Sequence, residues 1–195
     1  MGTDYEILED SVRNSYASVS WSHKIQEKQA DLYFKRYKIA VNCNLIAAVL
    51  ASVGATAPFV EFVATLFNPN IIKILTIICS FITALTSGYL KLNDLKQMAE
   101  NNKNAARELI IIRDQLKIIL LQIKMKNKQA NQLLIEYEDI MNKLDKIYQS
   151  APTTTNKAVE LANVALKVKG DNSFTDNEID FLLPKNLRKE NPYYE

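Results

Sequence analysis

The chain has 195 residues, a formal net charge of +2, one histidine and two cysteines. Charges that nearly balance give no reason to expect direct binding of nucleic acid. The single histidine, His23, and the distant cysteines Cys43 and Cys79 match no spacing typical of a metal site, a disulfide framework or a catalytic triad. We therefore expect a protein that is not an enzyme and needs no cofactor.

The first 38 residues are polar and charged, and they lack the pattern of a signal peptide. Residues 1–19 show weak periodicity and are expected to form an N-terminal arm that docks elsewhere. Ser20 is a candidate N-cap, and the apolar residues after it recur at helical spacing. This pattern predicts a pre-membrane helix over residues 20–38 that continues into the next segment without a break.

Two apolar runs follow, residues 45–67 and 71–90, separated by the short break Asn68-Pro69-Asn70. Each run is long enough to cross a hydrocarbon core of about 30 Å as a helix. The uncharged parts of both runs lack the polar stripe that a buried helix of a soluble protein normally shows. We therefore predict a transmembrane helical hairpin, with span one at residues 39–67 and span two at residues 71–92, rather than a buried hairpin of a soluble protein.

Basic residues lie outside the two spans, and basic residues near span ends stay in the cytoplasm. The connecting loop holds only Lys73. Both chain ends are therefore expected in the cytoplasm, with the turn at residues 68–70 outside. The flanking basic residues are Lys24, Lys28, Lys35, Arg36 and Lys38 before span one, and Lys91, Lys96, Lys103 and Arg107 after span two.

Both spans carry small and hydroxyl-bearing residues at intervals that place them on shared helix faces. Small residues allow membrane helices to approach closely. Either these faces pack the hairpin onto itself, or one face packs the hairpin while the other lines a pore built from several chains. The candidate residues of this packing or pore face are Ser52, Thr56, Thr76, Ser80, Thr83, Ala84, Ser87 and Gly88.

Two residues near the end of span one are unusual for a membrane helix. Pro58 removes one backbone hydrogen bond and predicts a kink. Glu61 is the only acid of the span. It either lies at the outer interface, where it snorkels or pairs with Lys73 across the turn, or forms with Lys73 the charges of a pore mouth.

Residues 93–149 contain neither proline nor glycine and are predicted to form one long cytoplasmic helix. Their apolar residues alternate at spacings of four and three over residues 109–147, which is typical of a coiled coil or a bundle helix. Only Lys126 interrupts them, either as a polar residue that sets the register or as an exposed lysine. A second apolar line, Ile111, Ile118, Leu121 and Met125, predicts several packing neighbours, namely the helix over residues 21–38 and copies from other subunits.

Residues 150–195 are predicted to form a C-terminal tail with two short helices, 155–167 and 178–183. A capping box at residues 175–178 precedes the second helix. The expected fold class is all-α, a transmembrane helical hairpin with a cytoplasmic helical bundle or coiled coil.

The pattern Trp21-x-His23-Lys24-x-x-x-Lys28-Gln29-Ala30-x-x-Tyr33, followed by two spans and a long helix, resembles the SLATT family of bacterial two-span effectors. In the tail, Thr175-x-x-Glu178-Ile179-Asp180-Phe181-Leu182-Leu183-Pro184 resembles one SLATT subgroup. The SLATT-like domain would cover residues 20–149. The resemblance attaches no chemical role to the pre-membrane motif residues Trp21, His23, Lys28 and Tyr33.

The resemblance implies an effector of prokaryotic conflict systems that assembles as a homo-oligomer in the lipid bilayer. The family's implied partners are a cyclic-oligonucleotide synthase, a nucleotide sensor or a reverse transcriptase from the same operon. We therefore expect a pore that disrupts the bacterial inner membrane in an antiphage, abortive-infection system, gated by a cytoplasmic signal or partner. The alternative is a membrane-anchored coiled-coil scaffold that holds a cytoplasmic partner at the bilayer.

Overall fold

The computed structural model describes residues 4–56, 61, 68–168, 170–171 and 178–179. Nearly all of these residues are helical and none of them forms a strand, which confirms the all-α fold class. The helices are α1 (Asp4–Gly54), α2 (Pro69–Leu92), α3 (Leu95–Met125), α4 (Ala130–Ser150) and α5 (Asn156–Asn163), and a π-helical turn, Val164–Val168, follows α5.

α1 is a continuous helix of 51 residues that passes through Ser20 without a break. Ser20 is therefore not an N-cap, and its hydroxyl donates to the carbonyl oxygen of Tyr16 at 2.7 Å. The segment expected to be a separate arm is helical from Asp4 onward. The periodicity of this segment is weak because only a few of its apolar side chains pack on the core. They are Leu8, Val12 and Val19.

α2 begins at the break that the sequence indicated. The side chain of Asn68 accepts a hydrogen bond from the backbone N–H of Asn70 at 3.0 Å, and Pro69 lies in the first turn, where no backbone donor is needed. Residues 39–54 of α1 pack against α2 as an antiparallel pair, called the hairpin below. Residues 57–60 and 62–67 of predicted span one, including the kink at Pro58, lie outside the described residues.

The single helix predicted over residues 93–149 is wrong, because a turn at residues 126–129 divides it into α3 and α4. Lys126 ends α3 in the left-handed conformation, with φ at 52°, and its backbone N–H donates to Ile123 at 3.2 Å. Lysine has no preference for this conformation, so the sequence marks the turn only by the interruption of the apolar repeat at Lys126. The apolar residues on either side of it face the core of the same chain.

Residues 4–38 of α1 form a three-helix bundle with α3 and α4, called the polar bundle below. The hydroxyl of Tyr5 donates to Lys128, whereas His23 lies beside Ala106, so α3 runs antiparallel to α1 and leads away from the hairpin. The buried core consists of Leu8, Val12, Val19, Leu109, Ile112, Leu116, Ile119, Ile123, Leu133, Ile140 and Leu144.

The start of the C-terminal tail follows the sequence prediction. Thr155 caps α5, and its hydroxyl accepts from the backbone N–H of Ala158. α5 and the π-helical turn pack against α1. Of the second predicted tail helix, only Glu178 and Ile179 are described, and both are helical.

Candidate functional site

The outer surface of the hairpin is apolar and open. Leu45, Ile77 and Phe81 are each more than half exposed, and they lie on both helices. Two helices of the described chain are long and apolar enough to cross a membrane, and little of their apolar length is buried. Exposed apolar surface of this extent marks an interaction site in a protein, and the length of the helices matches a bilayer.

The seam between the two helices is built mostly from small residues, spaced alternately four and three apart. This alternation keeps a row of side chains on one side of a helix, and small side chains let membrane helices approach closely. The positions turned toward the partner helix are at least half-buried. They are Ala40, Asn44, Ala47, Ala51 and Gly54 on α1, and Ile72, Thr76, Cys79, Thr83 and Thr86 on α2.

Asn44 carries the polar contact across this seam. Its side-chain amide nitrogen lies 3.0 Å from the carbonyl oxygen of Thr83, 2.8 Å from the hydroxyl of Thr86 and 2.7 Å from the hydroxyl of Ser87. An amide has two hydrogens, so these three acceptors share them. In a medium without water such bonds hold helices together, since the alternative is an unpaired amide in hydrocarbon.

Gly54 marks a close approach of the two helices at the other end of the seam. A methyl group added at this position would collide with the hydroxyl oxygen of Thr76. The hydroxyl of Thr76 itself donates to the carbonyl oxygen of Ile72 at 2.9 Å. Glycine is therefore needed at residue 54 for space rather than for its backbone conformation.

The two sides of the seam carry side chains of different size. Each residue turns a helix by about 100°, and in an antiparallel pair an equal turn away from the seam reaches the same side of the pair on both helices. One side has small residues next to the seam, called the small face below: Ala48 and Ser52 on α1, Ala55 just after its end, and Ser80, Ala84 and Ser87 on α2. Leu45 and Ile77 border this face on its outward side. The opposite side, the bulky face, holds Ile46, Leu50 and Val53 on α1, and Ile78, Ile82 and Leu85 on α2.

The structure therefore separates the residues singled out for packing or for a pore. Thr76 and Thr83 lie in the seam, and Ser87 lies at its edge. The residues outside the seam are Ser52, Ser80 and Ala84 on the small face, and Thr56 and Gly88 on the outward side.

The hydroxyls outside the seam are satisfied by their own helices. Ser52 donates to Ala48 at 2.8 Å, and Ser80 donates to Thr76 at 2.9 Å. Such bonds to the preceding turn let a hydroxyl lie in lipid or beside water without an unpaired donor.

The two charges expected at the outer end, Glu61 and Lys73, are both exposed. No ion pair joins these two described side chains. Both roles considered for these charges, at the membrane interface or at a pore mouth, therefore stay predictions.

The pre-membrane motif lies inside the polar bundle. His23 is 5% exposed, and its Nδ1 lies 3.0 Å from the carbonyl oxygen of Ala106 on α3. Burial lowers the pKa of His23 below 6.5, in the same direction as the nearby cations Lys24 and Arg113. The hydrogen bond to Ala106 and the Glu27 carboxylate act in the opposite direction.

Three further polar residues next to His23 hold the C-terminal segment on α1. The side-chain oxygen of Gln29 accepts from both the backbone N–H and the hydroxyl of Thr155, each at 2.8 Å. The side-chain amide of Gln26 donates to Pro152 at 3.0 Å. We call these contacts, with that of Lys24 described next, the clamp.

Lys24 completes the clamp as a nearly buried cation. Its ammonium lies 2.9 Å from Glu27 and 3.5 Å from Asp171. The ammonium of Lys167 lies 5.6 Å from the ring centre of Trp21, within the range of a cation–π interaction.

The other two motif residues are less constrained. Lys28 lies 3.9 Å from both Glu27 and Asp31, and Tyr33 is half-buried. Within the motif, His23 packs against α3 in the polar bundle, and Trp21 contacts Lys167 of the π-helical turn.

Sequence reasoning missed Asn44, Gly54 and the role of Gln26. Asn44 had a usable signal, because a carboxamide inside an apolar run needs a partner. Gly54 had none, since the clash with Thr76 depends on how closely the helices approach. Gln26 and Gln29 lie three apart on one helix face, but exposed residues show the same spacing.

The comparisons with known proteins agree with this architecture. The model of the SMODS and SLOG-associating 2TM effector domain family 4 matches residues 8–178, which include the hairpin, the clamp and all of the polar bundle except residues 4–7. No curated protein and no solved structure matches the chain. The match covers most of the chain and confirms the resemblance to SLATT effectors. The chain therefore belongs to the SMODS and SLOG-associating 2TM effector domain family 4.

Proposed function

We propose that several copies of this chain assemble through their hairpins into a pore that disrupts the bacterial inner membrane during infection. Family membership supports the broader statement, a membrane effector of conflict systems. The finer statement, a pore in an antiphage system, rests on the form of the hairpin.

The observation that carries the proposal is the small face. The seam uses one row of small residues on each helix, yet a second row, with Ser52 on α1 and Ser80 and Ala84 on α2, stays outside it. A hairpin that only needed an anchor could fill this side with bulky apolar residues, as it does on the bulky face. Two spans cannot enclose water alone, so a lumen on the small face requires several chains.

The continuity of α1 supports gating from the polar bundle. One helix of 51 residues holds His23 and Gln29 in its middle and Asn44 and Gly54 in its C-terminal part. A rearrangement of the clamp would therefore rotate or shift the first span directly. We propose a cyclic-oligonucleotide synthase, a nucleotide sensor or a reverse transcriptase from the same operon as the source of the trigger.

Leakage from cells that express the activated protein tests this proposal. Ser80→Leu and Ala84→Leu fill the small face, so we expect them to abolish dye efflux while membrane insertion is retained. Ile82→Leu changes a bulky-face residue without changing its volume and should leak like the wild type. Normal leakage from both leucine variants would contradict the pore assignment of the small face.

A further inference from the structure

We propose that a groove between α1 and α3, next to the hairpin, binds the headgroup of a phospholipid that carries a phosphate and a primary amine. The groove has a volume of about 240 Å³. Its floor consists of three buried alanines, Ala30, Ala99 and Ala106, and we call it the alanine groove. Small side chains on the floor leave space between the longer side chains of the two walls.

The walls bring charged and aromatic side chains of the two helices to matching levels. α1 and α3 are antiparallel, and His23 lies beside Ala106. Counted from this contact, Phe34 of one wall lies at about the level of Lys96 of the other, at the end of the groove nearer the hairpin. About one turn further from the hairpin, Asp31 lies at about the level of Glu100.

The charges of these two levels are available to a ligand. Lys96 and Glu100 are exposed, and neither side chain has an ion pair or hydrogen bond among the described residues. Asp31 approaches Lys28 only at 3.9 Å. The groove therefore offers one free cation followed by two acids that lack a close partner.

The far end of the groove takes no part in the proposed site. The carboxylate of Glu27 lies 2.9 Å from the ammonium of Lys24 in the clamp. Lys103 lies 11 residues beyond Leu92, where α2 ends, which corresponds to about 16 Å along a helix. A lipid phosphate does not reach this level, because the headgroup layer of one leaflet is about 5–8 Å thick.

The order of the charges along the groove matches the order of the charges in the headgroup. Lys96 lies four residues beyond Leu92, about 6 Å from the end of span two, and Glu100 lies about 12 Å from it. Side chains of a helix tilt toward its start, so both charged groups of α3 lie nearer the membrane than their backbones. Lys96 is thus placed for the phosphate, and Glu100 for an amine that extends further from the hydrocarbon.

Phe34 and Lys38 complete the end of the groove at the membrane. Phe34 is 45% exposed, and the ammonium of Lys38 lies 4.7 Å from the centre of its ring. Exposed aromatic rings at the headgroup level are typical of membrane proteins. Lys38 also places a second cation close to the level at which a lipid phosphate lies.

The acids of the groove select a primary amine. A headgroup with additional negative charge would be repelled by Asp31 and Glu100. A quaternary amine carries a positive charge but has no N–H with which to donate to a carboxylate. A primary ammonium both balances the charge and donates charge-assisted hydrogen bonds.

The membrane favours a lipid over a soluble molecule with the same headgroup. Acyl chains confine the lipid to the leaflet beside the groove and so raise its effective concentration there. This inference rests on the two-span topology of the proposed function and not on the pore.

Native mass spectrometry of the full-length chain in detergent tests the site. The probes are phosphatidylethanolamine and phosphatidylcholine with the same acyl chains, which differ only by three methyl groups on the nitrogen. We expect the wild type to bind phosphatidylethanolamine about ten-fold more tightly, because only this lipid donates hydrogen bonds to the acids. Equal binding of the two lipids would overturn the proposal.

A substitution in the groove shows where the amine is recognised. Glu100→Gln should lower the preference for phosphatidylethanolamine several-fold, and the fold should persist because Glu100 is exposed. Glu108→Gln is the matched control, since Glu108 is exposed on the same helix about two turns further from the hairpin. An unchanged preference in Glu100→Gln, or an equal loss in Glu108→Gln, would overturn the proposal.

A second substitution tests the phosphate end. Lys96→Gln should weaken the binding of both lipids several-fold and leave their ratio unchanged, because the phosphate is common to both. Lys117→Gln, at an exposed lysine of α3 outside the groove, should bind both lipids like the wild type. Wild-type binding by Lys96→Gln would contradict the assignment of the phosphate.

The free headgroup compound separates a lipid site from a site for a soluble ligand. Phosphoethanolamine without acyl chains should fail to displace phosphatidylethanolamine at equal concentration. Displacement at equal concentration would make the alanine groove a site for a soluble molecule and would overturn the lipid assignment.

The leakage assay separates this inference from the pore. A preference for the primary amine in a chain that never leaks retains the alanine groove as a lipid site and removes the pore. Leakage from a chain without this preference retains the pore and removes the lipid site.

Discussion

The side-chain nitrogen of Asn44 lies 3.0 Å from the carbonyl oxygen of Thr83, so one side chain of α1 ties the two helices of the hairpin together. The hydroxyls of Thr86 and Ser87 flank the same nitrogen. We expect Asn44→Ala to lower the free energy of unfolding in detergent micelles by about 1 kcal/mol. Asn42 is exposed two residues away, and Asn42→Ala should change little. Equal losses from the two variants would contradict the role of Asn44.

The contact of Gly54 with Thr76 predicts that alanine substitution changes the stability of the protein differently at the two glycines of the hairpin, Gly54 and Gly88. Gly54→Ala forces the helices apart, and such overpacking should cost about 1–3 kcal/mol in thermal or denaturant unfolding. A methyl group added at Gly88 meets nothing within 4 Å, so Gly88→Ala should be neutral or stabilising.

Removal of the colliding hydroxyl provides the check on Gly54. Thr76→Ala, combined with Gly54→Ala, should restore part of the lost stability, because the added methyl group then has more space. If the double variant is less stable than Gly54→Ala alone by the full cost of Thr76→Ala, the close approach is not the cause.

Because His23 is buried and its pKa is lowered, we expect the folded protein to lose stability in weak acid. The unfolded chain therefore binds a proton first as the pH falls below 6.5. The free energy of unfolding should be constant above that value and then fall with pH, by at most about 1.4 kcal/mol per pH unit. Denaturant titrations at pH 7.5 and pH 5.5 measure this.

A variant at the same residue provides the control for the acid effect. The chain has one histidine, so His23→Gln keeps a hydrogen-bond donor for Ala106 but should show a much smaller loss between the two pH values. A wild type whose stability rises in acid, or a variant with the wild-type loss, would show that His23 is not responsible.

From the left-handed conformation of Lys126 we expect replacement of lysine by glycine to have opposite effects at two positions, stabilising at Lys126 and destabilising at Lys117. At φ 52°, Lys126→Gly removes the penalty of the left-handed conformation and should add about 1 kcal/mol to the free energy of unfolding. Lys117 lies exposed within α3, where glycine should cost about 1 kcal/mol. Thermal unfolding of both variants measures the difference, and the same sign at both sites would contradict the turn at Lys126.

The sequence predicted the all-α class and the apolar core of the bundle, because helical periodicity depends only on local spacing. It left open whether the core is completed by the same chain or by other subunits. A seam with spacings of four and three fits another subunit or the same chain folded back, and only the interruption at Lys126 marks the turn. The prediction of a separate N-terminal arm fails for a similar reason. Three buried apolar residues leave little periodicity in a helix that is stabilised by packing on a core.

The sequence could not show which of the small residues in the two spans pack the hairpin onto itself. Intervals of four advance a residue by about 40° around a helix at each step. The predicted row Thr76, Ser80, Ala84 and Gly88 therefore starts in the seam, crosses the small face and ends on the outward side. Spacing could identify the residues, but only the position of α1 shows which of them the hairpin uses for itself.

The most direct test of the pore is water access to two neighbouring residues of α2. Ala84 lies on the small face and Leu85 on the bulky face at nearly the same depth. In a chain without other cysteines, single cysteines at these positions are exposed to a membrane-impermeant thiol reagent while the cells leak. If the small face lines the lumen, Ala84→Cys reacts and Leu85→Cys does not. Leakage with Ala84→Cys unreactive, or with both cysteines equally reactive, would contradict it.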